Sequence, residues 1–369
     1  MKLVYNFDGS TMPSWMPLLF WLLYVVVFVY AFKKTMLSWY QNQHSKDVNW
    51  LFAIYFTLFA VFYCINDDYF QYRNWIYVRD FSVWGKEKFY IFVVLFCQSL
   101  HFDYPYEVFR FIVWGGAIFI VYYIFRKYRG LLMPGLALLF LFVFHAGTFC
   151  YARASLAMAV YFLGIAIYFC YKRLSLRILG IVVAISSYFF HHEMIIGIAV
   201  LPCLFFPFER KGMSYLSAFW LIIVIVVLSF FSSNAQFLDS IFDNDELSSK
   251  IENFNEKGQG AFRLSTLVNY LKFFYPFYLV TKYFWKNNIP RSVAGMYRIT
   301  YGILMASVAF MVVSGVRTVY TYRVLYISMI PMTLLIGYGY NNGHFKKTQF
   351  LIMLILALLS NSIRFINAQ

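Results

Sequence analysis

The sequence predicts an all-α, polytopic transmembrane helix bundle of about 12 spans. Three observations predict it. Only 13% of the 369 residues are charged, against about 25% in an ordinary soluble chain. Hydrophobic residues make up 62%. They fall in runs of 14 to 21 residues separated by short basic clusters, about the length a helix needs to cross a bilayer. The chain reads as a single integral membrane domain over residues 1–369. No period of 20 to 50 residues repeats, and no segment is of low complexity.

Taken in order, the apolar runs place spans at 14–32, 48–65, 105–125, 131–149, 154–171, 177–190, 193–208, 214–231, 265–285, 299–316, 324–340 and 348–363. The first follows a single Lys2 and has no small-residue cleavage site, so it is expected to remain as an uncleaved span. A shorter element from Glu87 to Leu100 is expected to be interfacial or re-entrant, because its two ends must share one side of the membrane. It belongs to a segment, 66–104, that loops outward. A second outward segment, 232–264, is long and hydrophilic, with acids from Asp239 to Glu256 and glycines at 258 and 260 that suit a lid.

Charge sets the orientation. With both termini outside, the inward loops hold seventeen of the 31 basic residues against two acids, Asp47 and Glu209, and the outward side is neutral. That is the asymmetry of the positive-inside rule. The net charge of +15 is therefore explained by topology. Nucleic-acid binders gather their cations on one face, and these are scattered, so nucleic acid is not expected as a partner. The five cysteines lie in apolar runs without CxxC spacing and read as small buried hydrophobes.

Polar residues at span ends mark the expected site. Arg153 opens one run and His191-His192-Glu193 separate two others, all on the outward side. Arg317, Tyr322 and Arg323 sit in a short outward turn. Arginine stays charged and offers a planar fork of donors that pairs phosphate oxygens two at a time. For any one of these arginines the alternative is a snorkelling side chain satisfied by headgroups. His191 can serve as a general base near neutral pH. Its neighbour His192 must point elsewhere, and an interfacial, hydrogen-bonded histidine is the alternative for either. His-His-Glu is not the i, i+4 arrangement of H-E-x-x-H, so no metal is expected. In the first outward loop, Tyr69 and Tyr72 flanked by Asp68 and Arg73 suit sugars, whereas most outward aromatics read as an interfacial belt.

These residues together resemble the EpsG family of Wzy-like polysaccharide polymerases. The matching features are Asp68-Tyr69-x-x-Tyr72, Glu87 before a short apolar element, and Arg153-Ala-Ser-Leu-Ala at a span start. After a positive turn come Phe190-His191 and then Tyr322-Arg323-Val-Leu-Tyr326. The features cover residues 60 to 335. Many relatives carry Gln after the first arginine, where this chain has Ala154.

The resemblance implies a glycosyltransferase of the bacterial cytoplasmic membrane, serving capsule, exopolysaccharide or O-antigen assembly. A growing glycan on undecaprenyl diphosphate would pass to another lipid-linked repeat unit, with no cofactor. Arg153 and Arg323 would clamp the departing diphosphate, with Arg317 secondary and His191 as the base. Asp68, Tyr69, Tyr72, Arg73, His192 and Tyr322 would bind substrate. Membrane lipid and a chain-length regulator are the partners such an enzyme implies. Competing readings are another lipid-linked glycosyltransferase, an O-antigen ligase, or a transporter. Transporters carry charge at the midplane of broken helices, and the polar residues here lie at span ends.

Overall fold

The computed structural model describes residues 15–40, 50–62, 73, 88–99, 105–128, 152–206, 264–284, 286–314 and 324–367. Every regular element among the described residues is helical. In lipid the backbone must satisfy its own polar groups, and a helix does so within one segment. The elements are α1 (Met16–Tyr40), α2 (Trp50–Phe62), α3 (Lys88–Ser99), α4 (Pro105–Lys127), α5 (Ala152–Cys170) and α6 (Leu174–Ser186). They continue with α7 (Ile195–Val200), α8 (Leu264–Phe284), α9 (Arg291–Ser314), α10 (Met329–Asn341) and α11 (Lys347–Asn367). Among the described residues, Pro105–Lys127 and Arg153–Cys170 are long and apolar enough to cross a membrane, and shorter apolar helices surround them. The predicted spans 131–149 and 214–231 and the lid segment at 232–263 lie outside the described residues.

Local sequence explains the boundaries. Pro105 opens α4, where its missing N–H costs nothing. Glu107 lies in the first turn of α4, and Arg126 and Lys127 in the last, each complementing the helix dipole. Three sequence boundaries are corrected. α1 continues to Tyr40, so Lys33 and Lys34 belong to the helix and not to a loop. α9 begins directly after Pro290, eight residues earlier than the apolar run suggests. That places Arg298 two turns inside the helix, buried above the Phe169 ring. The span expected at 193–208 is composite: a 3-10 turn (His192–Met194), α7, and a 3-10 turn (Leu201–Phe205) containing Pro202. Proline's lack of an N–H disfavours a continuous α-helix there.

α5 lies at the centre of the packing, against α4 on one side and α6 on the other. Small residues let α5 and α6 touch backbone to backbone. A Cβ on Gly180 would lie 2.7 Å from the Gly164 carbonyl oxygen and 2.8 Å from the Tyr168 nitrogen. Gly180 and Ala184 are four residues apart, the small-xxx-small spacing of close membrane helix pairs. One continuous apolar core results, with Tyr161, Phe162 and Ile165 of α5 fully enclosed in it.

A polar chain crosses the interior between α1, α8 and α11. Lys272 is 1% exposed and donates to Asn361 Oδ1 at 3.5 Å. Asn361 Nδ2 donates to the Tyr24 hydroxyl at 2.7 Å, and Trp21 Nε1 reaches Ser362 Oγ at 3.2 Å. Each of the three residues Tyr24, Lys272 and Asn361 lies six to eight residues from one end of its helix, about 9–12 Å of rise. The chain therefore fixes the register of three helices in one layer.

Candidate functional site

Arg153 lies in the first turn of α5, half-buried. His191 follows the 3-10 turn Ser187–Phe189 that ends α6. Its backbone is extended (φ −159°, ψ 125°) between two tight turns, and this single break sets the two histidines apart. His191 Nε2 lies 3.2 Å from Glu193 Oε2, the side chains 14% and 16% exposed. The ring of His192 instead meets Tyr188 edge-on at 5.2 Å. Adjacent imidazoles thus face different neighbours, as the sequence suggests.

α3 is the brace that joins Arg153 to the histidine segment. Tyr90, fully buried, donates its hydroxyl to the Arg153 carbonyl at 2.6 Å. The preceding ring, Phe89, packs on Phe190 at 4.7 Å. Tyr90 also meets Phe109 of α4 edge-on at 6.0 Å. A 12-residue helix therefore holds three span ends together: the start of α4, the start of α5 and the end of α6. Its buried side is made by Tyr90, Val93, Val94 and Cys97, a helical spacing that turns one face inward.

Beside this brace lies an ionic cluster of which the sequence singles out Arg73 alone. Arg73 Nε is 3.1 Å from Glu107 Oε1, with the arginine side chain 3% exposed. One turn along α4, Arg110 is 1% exposed. It donates to the Tyr106 hydroxyl at 3.4 Å and to the carbonyl of Ala60. Breaking a buried ion pair by removing one partner costs about 3–5 kcal/mol, so this pairing ties Arg73 firmly to α4. Glu107 and Arg110 sit just inside a span start, where an acid and a base at i, i+3 look like ordinary end charges. Only their burial separates them from a snorkelling pair.

The remaining residues singled out from sequence, Asp68, Tyr69, Tyr72, Arg317, Tyr322 and Arg323, lie outside the described residues. Tyr326, one turn beyond Arg323, is buried and packs on Phe273 at 6.0 Å, next to Lys272. Among the described residues no group of three or more His, Cys, Asp or Glu is placed to hold a metal ion. Of the described cysteines, Cys97 and Cys203 are buried and Cys170 is half-buried.

The model of the EpsG family matches residues 48–369, from the start of α2 through the last helix. No curated protein matches the chain. No solved structure matches it either.

Proposed function

The chain belongs to the EpsG family, a helical membrane protein of polysaccharide biosynthesis, and from that membership we propose that it is a lipid-linked glycan polymerase. The observation that supports this reading most is the joining of Arg153 and the His191 segment through α3, inside the matched region. The substrate on this reading is an oligosaccharide on undecaprenyl diphosphate at the outer face of the bacterial cytoplasmic membrane. Both chain termini are then outside, with about 12 spans and the basic helix ends inward.

The chemistry follows from the groups present. A hydroxyl of the acceptor repeat unit attacks the anomeric carbon of the donor glycan. The bond from that carbon to the diphosphate oxygen breaks, and the lipid diphosphate leaves with the electron pair. Arg153 and Arg323 hold that oxygen's developing charge, an interaction stronger in the transition state than before it. Arg317 lies nearby in sequence as a further cation. His191 takes the acceptor's proton, and Glu193 at 3.2 Å orients the imidazole and stabilises its charged form. Asp68, Tyr69, Tyr72, His192 and Tyr322 line the sugar-binding side. Arg73, paired with Glu107, completes that set. The diphosphate bond already carries the activation, so the transfer requires no nucleotide.

Complementation of a deletion strain tests the reading. Arg153→Ala and Arg323→Ala, expressed at wild-type level, should leave single lipid-linked repeat units and no polymer. Full-length polymer from either variant removes that arginine from the mechanism, and from both it removes the mechanism.

A further inference from the structure

The end of α5 opposite Arg153 carries a second built arrangement. No Asp or Glu occurs between Glu107 and Glu193, whereas Arg126, Lys127, Arg129, Lys172, Arg173 and Arg177 all fall in that interval. Five of these six are described, and among the described residues none has an ion-pair partner. A topological charge bias alone needs only loosely placed cations. Here Lys127 and Arg177 are held by their neighbours. The Lys127 ammonium stands 5.3 Å from the centroids of both the Tyr123 and Tyr171 rings. The two tyrosine hydroxyls are 3.2 Å apart. Arg177 donates from Nε to the Tyr171 carbonyl at 3.3 Å, and its guanidinium lies 5.9 Å over the Tyr168 ring.

Two further features define the occupant. α6 starts here, and its N-cap residue Arg173 supplies no side-chain cap, so the first N–H groups of a 13-residue helix face the same end. Along the helices leading away from the cluster the surface is apolar: Phe119 is 68%, Leu174 71% and Ile178 56% exposed. A soluble phosphate would use the cations and leave those side chains unexplained. A ligand with a phosphate joined to acyl chains uses both. Basic pockets between helix ends on the cytoplasmic side of membrane proteins bind lipid headgroups by this combination.

We infer that the cluster at the ends of α4 and α5 and the start of α6 is a binding site for the phosphate of an anionic phospholipid. Lys127, Arg177 and the Tyr123–Tyr171 hydroxyl pair hold the headgroup, and the apolar flanks of α4 and α6 take its acyl chains. The site lies about 26 Å from Arg153 along α5 and is independent of the transfer chemistry.

The test titrates phosphatidylglycerol into the purified full chain in neutral detergent and follows the thermal midpoint. Wild type should be stabilised by phosphatidylglycerol and not by phosphatidylcholine or inorganic phosphate. Lys127→Gln with Arg177→Gln should weaken the apparent affinity about fivefold for each charge removed. Lys127→Arg, which keeps the charge, should retain affinity, and this separates lost binding from lost folding. The control, Lys286→Gln with Lys347→Gln, removes two charges elsewhere and should leave affinity within twofold of wild type. Equal weakening in the control pair means net charge alone attracts the lipid and overturns the site. So does stabilisation by inorganic phosphate alone, or an unchanged affinity in the double variant.

Discussion

Gly180→Ala is the sharpest structural perturbation the fold offers. The new methyl would lie 2.7 Å from the Gly164 oxygen and 2.8 Å from the Tyr168 nitrogen, against a relaxed separation of about 3.5 Å. Both obstacles are backbone atoms of a helix, so no rotamer change relieves them and α5 must move off α6 by several tenths of an ångström. Overpacking of this kind costs up to about 3 kcal/mol. Replacing a helical glycine returns up to about 1 kcal/mol of helix propensity. The net expectation is a destabilisation of about 2 kcal/mol. Gly116→Ala provides the opposite sign within the same protein. Its methyl meets only Leu156 Cδ1 at 3.5 Å, ordinary contact, so propensity alone should act and stabilise. The assay is denaturant unfolding in mixed micelles followed by tryptophan fluorescence. Arg153 opens α5 and His191 follows α6, so Gly180→Ala should also reduce polymer formation. A Gly180→Ala protein as stable as wild type, or less destabilised than Gly116→Ala, would refute backbone contact between these helices.

Three more expectations follow from other contacts. Tyr90→Phe removes the 2.6 Å bond to the Arg153 carbonyl, with an expected loss of about 1 kcal/mol and lower polymer yield at unchanged expression. Glu107→Gln leaves the guanidinium of Arg73 facing a neutral amide in a buried site; it should destabilise by about 3 kcal/mol, and Glu107→Asp should cost less, both read by the same unfolding assay. His344 lies in the turn between α10 and α11, and partial burial lowers its pKa from the ordinary imidazole value. The folded state therefore prefers the neutral ring: its contribution is fully present above the unfolded pKa near 6.5 and is lost as pH falls through the lower folded value. His344→Gln should flatten that acid limb of the thermal midpoint against pH.

Much of the architecture was legible because membrane helices announce themselves by apolar length, and charge bias orders their ends. α4 and α5 fall within a few residues of the runs 105–125 and 154–171. Arg298 shows where the reading stops: a charged residue immediately before an apolar run looks like loop, yet an aromatic face on α5 lets the helix bury it. Of the site, Arg153 and His191 stood out because charge interrupts apolar sequence there. The Arg73–Glu107 pair spans 34 positions and the Lys272–Asn361 bond 89. No local pattern encodes such pairings, since each partner alone resembles a span-end or interior polar residue. Tyr90 was invisible for the same reason, being one aromatic among 32 tyrosines. Only packing reveals that its hydroxyl reaches Arg153.

The most direct measurement uses purified protein in liposomes supplied with a defined lipid-linked repeat unit. Glycan chain length and liberated polyprenyl diphosphate would be quantified together for wild type, Arg153→Lys and Arg153→Ala. The account predicts one diphosphate-lipid released per glycosidic bond formed by wild type, a slowed reaction with lysine, and neither product with alanine. Polymer made by Arg153→Ala at the wild-type rate, or polymer formed without release of the lipid diphosphate, would contradict it.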